Sequence, residues 1–154
     1  MPINPATKCG LISALLLSLA SCATAPNSSD DTQQIRGLID QAAAMNNQGD
    51  IDGWVALFEA GAVYMPAGMH AVSDRDELRE MARSGFTEWQ TDIQISPDEI
   101  ILNGDWAFAR SSVTGTVEPM GGGEQSSIDL KQIVIYHRQA DGSWKIARLI
   151  SNKN

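Results

Sequence analysis

Residues 34–68 read QIRGLIDQAAAMNNQGDIDGWVALFEAGAVYMPAG, and the prediction of the fold starts from this segment. Side chains of one stripe recur in its first half at intervals of three and four residues, namely Ile35, Leu38, Ile39, Ala42 and either Met45 or Asn46. This spacing places them on one face of a helix, which predicts an amphipathic helix with a buried stripe. Gly49 ends this helix, because glycine readily adopts the left-handed conformation that is common just after a helix.

The second half of the stretch predicts a short helix followed by a strand. Asp50 can cap the new helix, since its carboxylate accepts hydrogen bonds from the first free N–H groups. The helix carries Trp54 and Phe58 on its apolar side and ends at Gly61. Residues 62–65, AVYM, then form a short strand that runs into a Pro-Ala-Gly turn.

Downstream of this stretch, the pattern predicts one more helix and then only strands. Ser73 is the predicted N-cap of a helix over residues 74–84, which Gly85 ends. From Trp89 onward the apolar period is two, and Pro97 and several turn signals separate the predicted strands, which cover residues 89–95, 99–102, 106–117, 128–138 and 144–151. The expected fold class is α+β, with three N-terminal helices packed on a curved antiparallel sheet.

The N-terminal segment looks like a targeting sequence. Its apolar run, residues 11–20, is too short to span a bilayer as a mature helix and fits the hydrophobic region of a signal peptide. The segment ends Leu19-Ala20-Ser21-Cys22, which resembles the bacterial lipobox. We therefore expect residues 1–21 to be cleaved, Cys22 to carry the lipid, and a tether over residues 22–32 to precede a domain over residues 33–152. An ordinary signal peptide with a coincidental cysteine is the alternative.

A lipobox predicts a location in the cell envelope. The residue after the cysteine is Ala23 and not aspartate, which in lipobox proteins implies an outer-membrane anchor facing the periplasm. A secreted or soluble periplasmic protein is the alternative. The chain has 11 basic and 19 acidic residues, a formal net charge of −8. This balance disfavours nucleic acid, whose phosphates need basic patches, and it leaves acyl chains as the means of membrane attachment.

The order of these elements resembles the cone-shaped fold shared by nuclear transport factor 2, ketosteroid isomerase and SnoaL-like polyketide cyclases. The resemblance rests on the Gly-Asp pair between the first two helices, the Pro-x-Gly turn after the first strand, the capped third helix and the closing Asp-Gly-Ser-Trp-Lys-Ile. It covers residues 33–152, nearly the whole expected mature chain. The resemblance implies a sheet that curls around the long helix, a conical pocket, and a homodimer formed through the sheet.

The ketosteroid isomerase mechanism is not expected in this chain. Isomerase-like members of the family place an aspartate base just before the proline of the first strand and a tyrosine on the long helix. This chain has Met65 before that proline, and residues 32–48 contain no tyrosine. Because a thioether cannot accept a proton at neutral pH, other groups would have to act, and the candidates are Tyr64, His70 and Asp40. The alternative for each is a solvated surface residue, which the pattern favours for the last two.

Arg110 interrupts an apolar strand pattern and could serve a ligand. By the strand period of two, it shares a face with Trp106 and Phe108. A guanidinium among apolar groups needs a carboxylate, an aromatic ring or a bound anion. Asp129 and Glu118 are candidate internal partners, and an anionic or carbonyl ligand in the pocket is the alternative.

Arg148 presents the same choice on the last strand, where the period places it with Trp144 and Ile146. Aromatic side chains could line the same pocket, although their spacing is also typical of a plain core. The predicted ligand-binding residues are Trp54, Tyr64, Met65, Trp89, Trp106, Phe108, Arg110 and Arg148.

No nucleophile motif, P-loop, dinucleotide fingerprint or metal-ligand spacing occurs in the sequence, so no cofactor or metal is expected. Three hypotheses follow. The first is a non-catalytic module that binds a small hydrophobic or amphipathic ligand, and the second is a cofactor-independent lyase or isomerase of the dehydratase or cyclase kind that acts on a carbonyl compound. The third is a homodimeric interaction domain whose cone is filled by its own side chains. The first two need an open cavity. A histidine or carboxylate within hydrogen-bond reach of Tyr64 would favour the enzyme.

Overall fold

A long N-terminal helix is the element around which the sheet is arranged. The computed structural model describes residues 28–154. Its elements, in chain order, are α1 (Ser28–Gln48), α2 (Ile51–Ala56), β1 (Phe58–Met65), α3 (Arg75–Glu88), β2 (Trp89–Asn103), β3 (Trp106–Pro119), β4 (Ser126–Arg138) and β5 (Trp144–Lys153). Ile35 and Ile39 on α1 are almost fully buried, and the helix packs on β2. The predicted apolar stripe is therefore the face that meets the sheet.

The five strands form one sheet in the order β1-β5-β4-β3-β2. The last four strands pair in antiparallel fashion, as the meander predicts, but β1 pairs with β5 in parallel. The α+β class is confirmed, whereas the expected antiparallel sheet is a curved mixed one. The parallel pair is possible because β1 and β5 are far apart in the chain, so that no tight hairpin joins them and forces them to be antiparallel.

The predicted end of the second helix is wrong. α2 ends at Ala56, and the chain from Phe58 onward joins the sheet, where Phe58 lies opposite Ile146. Gly61, the predicted stop signal, lies inside β1 with a φ of +76°. This left-handed residue falls within the register irregularity between Phe58 and Val63. Pairing with β5 thus outweighs the local helical pattern.

Three further boundary predictions are wrong for local reasons. Asp74, not Ser73, is the N-cap of α3, and its carboxylate accepts hydrogen bonds from two backbone N–H groups. The helix passes through Gly85 because Phe86 in its last turn packs against the core. Pro97 does not end a strand either, since it lies at a bulge of β2, an edge strand. At such a position the missing N–H group costs little.

The buried positions of strands β3, β4 and β5 face the helices. They form the concave face of the sheet and comprise Ala107, Ala109, Ser111, Val113, Val134, Tyr136, Trp144, Ile146, Leu149 and Ser151. The opposite, outer face carries large exposed apolar side chains, among them Ile101, Trp106 and Ile133. The alternation along each strand therefore separates an interior around α1 from an exterior face.

A buried ion pair fixes the start of α1 to the sheet. Asp31 accepts hydrogen bonds from both terminal nitrogens of Arg138, at 2.6 and 2.7 Å, and from the indole nitrogen of Trp144 at 3.2 Å. The guanidinium also lies 4.3 Å from the centroid of the Trp144 ring. The hydrogen-bonded Arg138 guanidinium holds the pKa of the Asp31 carboxyl below its ordinary value.

This ion pair explains why the domain begins earlier than expected. α1 starts at Ser28, so the last five residues of the predicted tether are helical and belong to the fold. The predicted cleavage site, the lipid attachment at Cys22 and the rest of the tether lie outside the described residues. Among residues 28–154, no helix is both long and apolar enough to cross a membrane.

Candidate ligand-binding site

An inner cavity of about 110 Å³ lies between α1 and the concave face of the sheet. α1 contributes Ile39, Ala42 and Asn46 to its wall. Most of the other lining side chains are aliphatic or aromatic and come from α2 and all five strands. The cone is therefore open, as both ligand-based hypotheses require.

A mouth pocket of about 490 Å³ lies between α2, β1, α3 and the start of β2. Asn46, Trp54 and Tyr64 line both spaces, so the inner cavity and the mouth pocket adjoin at these three residues. The predicted ligand-binding residue Trp89 also lines the mouth pocket, where it is 43% exposed. A ligand that enters at the mouth would therefore meet aromatic rings first.

Trp54 is the centre of the aromatic cluster in this wall. Its ring centroid lies 4.7 Å from that of Phe58, 5.9 Å from that of Tyr64 and 6.0 Å from that of Phe86. The last two contacts are edge-on, which is the favoured arrangement of aromatic pairs. Such packing holds the rings in fixed orientations and gives the site a rigid apolar wall.

Uncharged polar groups interrupt the apolar wall of the inner cavity. Burial raises the pKa of the Tyr64 phenol, and a hydrogen bond with the Ser151 hydroxyl opposes this effect in part. Burial also raises the pKa of Tyr136 far above the ordinary value of a phenol. Both phenols are therefore protonated at physiological pH and can donate a hydrogen bond.

Three of the inward polar residues lie side by side on neighbouring strands. Ser111 on β3 is in register with Gln132 on β4, which is in register with Ser151 on β5. We call these three residues the polar rung. Its Gln132 and Ser151 line the inner cavity, whereas the Ser111 hydroxyl is buried without a hydrogen-bond partner. No described aspartate, glutamate, histidine, lysine or arginine lines that cavity.

The predicted acid–base candidates lie apart from the inner cavity. His70 is exposed at the mouth pocket, where its Nε2 lies 2.7 Å from Oε1 of Glu77. Asp40 is an exposed residue of α1 and lines neither space. Tyr64 is the one candidate of the three that reaches the inner cavity.

Arg110 shares a strand face with Trp106 and Phe108, as its spacing predicts, but this is the outer face of the sheet. Its guanidinium forms ion pairs with Asp98 at 2.8 Å and Glu99 at 2.9 Å on the neighbouring strand β2. The predicted partners on β4 and at the end of β3 are not used. The strand period of two does not indicate which face of the sheet is concave. The prediction that Trp106, Phe108 and Arg110 line the pocket is therefore wrong, because their face lies outside it.

The prediction that Arg148 shares a face with Trp144 and Ile146 is wrong. A register irregularity in the β4–β5 pair makes Tyr136 the partner of Ile146 but Ile135 the partner of Arg148. One extra residue in β5 reverses the alternation, and Arg148 consequently points outward, where its Nη1 donates to backbone carbonyls. Met65 also lines neither the inner cavity nor the mouth pocket.

Sequence reasoning missed Tyr136, Asn46 and the polar rung. A signal for the rung was present, because a serine or glutamine interrupts the inward apolar series on each of three strands. It could be read only with the strand register and with the bulge in β5, which the sequence does not reveal. Within residues 28–154, no group of three or more histidine, cysteine, aspartate or glutamate side chains could hold a metal ion.

A helix lying in the concavity of a curved mixed sheet, with an apolar cavity between them, defines the class of cone-shaped α+β domains. The sequence matches the family model of the SnoaL-like domain over residues 39–149. The chain therefore belongs to the SnoaL-like domain family, as its sequence resemblance predicts. No curated protein matches it.

Several solved structures are similar to this chain. A ketosteroid isomerase-like protein from Erwinia carotovora atroseptica is 26% identical with a TM-score of 0.75, and the match covers 80% of this chain and 96% of that one. A protein from Novosphingobium aromaticivorans, provisionally named scytalone dehydratase, is 15% identical with a TM-score of 0.72, over 82% and 86% of the two chains. A provisional dehydratase of the NTF2-like family from Streptomyces avermitilis is 16% identical with a TM-score of 0.70, over 82% and 98%. The last two similarities establish the fold alone.

Proposed function

We propose that this chain is a non-catalytic module that binds a small hydrophobic or amphipathic molecule in its cone. The observation that carries the proposal is the composition of the inner cavity, whose wall is apolar and aromatic with a few uncharged polar groups. Such a wall suits ligand binding, since a few placed polar groups orient a molecule that burial of apolar surface holds. Proton transfer would need a titratable group near neutral pH, and none lines this cavity among the described residues.

Mass spectrometry of small molecules extracted from the purified full-length chain tests this function. We expect a molecule of predominantly apolar character, released on denaturation in an amount comparable with that of the protein. A preparation that releases no such molecule, and that also fails to bind added apolar probes, would contradict the proposal.

A second candidate function is a cofactor-independent dehydratase or cyclase acting on a carbonyl compound. The pair formed by His70 and Glu77 favours it, because both line the mouth pocket together with Tyr64. The dehydratase names of two similar structures support the same candidate. If the wild-type chain converts the extracted molecule to a product, and if the His70→Asn variant still binds the molecule but does not convert it, the chain is an enzyme.

We place this domain at the cell envelope, tethered through a lipid on Cys22, with its domain facing the periplasm. The support is the lipobox-like sequence before that cysteine. We expect labelled palmitate to be incorporated into the wild-type chain and a Cys9→Ser control but not into Cys22→Ser, because only the lipobox cysteine is acylated. Equal labelling of all three chains would exclude lipidation at Cys22.

We also propose a homodimer formed through the outer face of the sheet. Ile101, Trp106 and Ile133 are 53%, 45% and 39% exposed on this face, and a second copy would cover them. Sedimentation equilibrium should give about twice the mass of the chain, and Ile133→Glu should give a monomer because a carboxylate in this contact would have to lose its hydration. A monomeric wild-type chain at all concentrations would contradict the dimer.

A further inference from the structure

A groove of about 260 Å³ lies on the concave side of the sheet, beside the last turn of α1. Its wall comes from β2, β3, β4 and the end of α3, and we call it the distal groove, with the aliphatic side chains Ile93, Val113, Val117, Ile128 and Leu130. At this level of the sheet α1 packs on β2, where the Asn47 amide is hydrogen-bonded to both the N–H and the C=O group of Ile93, at 2.8 and 2.9 Å. Two strands away in the same register, Ile128 stays half-buried.

The distal groove continues the inner cavity. Ile93, Val113 and Leu130 line both spaces, so the two adjoin along three neighbouring strands. All three side chains are aliphatic, which makes the passage between the spaces apolar. The inner cavity is the smaller of the two, at about 110 Å³. A long apolar molecule that begins in the cavity would therefore extend into the groove.

Within the described part of the chain, the distal groove offers few hydrogen-bonding groups to an occupant. Besides the Trp89 indole, its polar side chains are Thr91 and Asn46, and the Thr91 hydroxyl donates to Oδ1 of Asn46 at 2.8 Å. A peptide segment in the groove would bury backbone N–H and C=O groups without partners, which costs free energy for each group. An alkyl chain has no such groups, and the burial of its apolar surface is favourable. The groove therefore suits a hydrocarbon chain better than a segment of protein.

The inward residues of β4 give the length of this path. Gln132 of the polar rung lines the inner cavity, Leu130 lies at the passage, and Ile128 lies in the distal groove. From Gln132 to Ile128 the strand covers about 13 Å, which is the length of roughly ten carbon atoms in an extended alkyl chain. At the inner end of the path, the Gln132 amide can both donate and accept a hydrogen bond. It thus suits an uncharged head group such as a hydroxyl.

We propose that the distal groove is a subsite for the tail of a straight alkyl chain whose uncharged head group lies at Gln132 in the inner cavity. The ligand class is accordingly a single-chain neutral amphiphile, such as a long-chain alcohol. This inference rests on the proposed function, because it names the kind of molecule that the same cone would take.

Three probes test the subsite: acetophenone, 1-hexanol and 1-decanol. NMR titration of the isotope-labelled full-length chain gives the dissociation constant of each. The first two are too short to fill the distal groove from Gln132, whereas 1-decanol reaches Ile128. Each methylene group that becomes fully buried improves binding about fourfold, and the groove is partly open to solvent. We therefore expect 1-decanol to bind at least tenfold more tightly than 1-hexanol.

The Val117→Asp variant places a carboxylate in the distal groove and leaves the inner cavity unchanged, since Val117 lines only the groove. It should weaken 1-decanol at least tenfold, because the tail would have to displace the water around the charge, and leave the two short probes within twofold. Ile128→Thr keeps a β-branched residue in the strand and should weaken 1-decanol about threefold, and it carries the test if Val117→Asp does not fold. Ser127→Asp is the matched control, because it adds the same charge at an exposed position of β4 next to the groove and should change none of the three constants.

The outcomes separate this inference from the proposed function. If 1-decanol binds no more tightly than 1-hexanol, or if the groove variants leave 1-decanol unchanged, the inference fails while binding of acetophenone still supports the proposed function. If Val117→Asp changes the mass in sedimentation equilibrium but not the affinity for 1-decanol, the groove is a contact between copies of the chain and the inference fails. If none of the three probes binds, the proposed function fails as well.

Discussion

The Ala42→Phe variant binds acetophenone at least a hundredfold more weakly than the wild-type chain. Ala42 lies on α1 and lines the inner cavity, whose volume is about 110 Å³. A phenyl ring at this position would take up most of that space. A hundredfold loss corresponds to about 2.7 kcal/mol, which is comparable with the burial of one apolar ring.

Ala44→Phe is the matched control for this variant. Ala44 lies two residues after Ala42 on α1, is exposed, and lines neither the inner cavity nor the mouth pocket. It should leave the dissociation constant within twofold. Thermal unfolding separates loss of the site from loss of the fold, because overfilling a cavity that is otherwise empty should lower stability by at most about 3 kcal/mol. Binding by Ala42→Phe at wild-type affinity would place the ligand elsewhere.

Replacing Asp31 with asparagine lowers the free energy of unfolding by about 3 kcal/mol, because it removes the buried carboxylate that pairs with the Arg138 guanidinium. The other described carboxylate beside that guanidinium, Asp105 at 3.3 Å from Nε, is exposed and cannot replace it. The two side chains are only 7% and 17% exposed, and both carboxylate oxygens accept hydrogen bonds from the guanidinium. Chemical denaturation of the full-length chain measures the effect. Asp30→Asn is the control, since Asp30 occupies the same first turn but is exposed, and it should change stability by less than about 0.5 kcal/mol.

The contribution of Asp31 depends on pH in a defined direction. Its pKa in the folded protein lies below its ordinary value, so the folded state binds the proton less readily than the unfolded state. The carboxylate therefore stabilises the fold above the unfolded pKa, near 4, and this stability is lost as pH falls through the lower folded pKa. The difference between wild type and Asp31→Asn should accordingly be full at pH 7 and shrink below pH 4. A difference that stays constant down to pH 2 would contradict the ion-pair explanation.

The sequence is sufficient to predict the fold class because its apolar residues recur with the helical period of 3.6 and then with the strand period of 2. Ile35 and Ile39 indicate which face of α1 is buried, and the capping residue Asp50 lies where the second helix begins. The parallel pairing of β1 could not be predicted in this way, since it depends on contacts between residues about 85 positions apart, such as Val63 and Arg148. Local patterns carry no information about which edge of the sheet a strand joins.

The candidate site was harder to predict than the fold because it depends on strand register and on the sheet's curvature. A single extra residue in β5 moves Arg148 to the outer face, and curvature alone decides that Arg110 lies outside. Tyr136 could not be recognised as a residue of the cavity wall without the strand register. Trp54 and Tyr64 were found because their position on the stretch that opens the fold places them beside α1.

A crystal structure of the chain soaked with acetophenone would show whether the cone holds a small hydrophobic or amphipathic molecule. We expect electron density for the probe inside the inner cavity, in contact with the wall to which Trp54 and Tyr64 contribute. A cavity without the probe, while density for it appears on the outer face of the sheet beside Trp106, would show that the cone is not the ligand site.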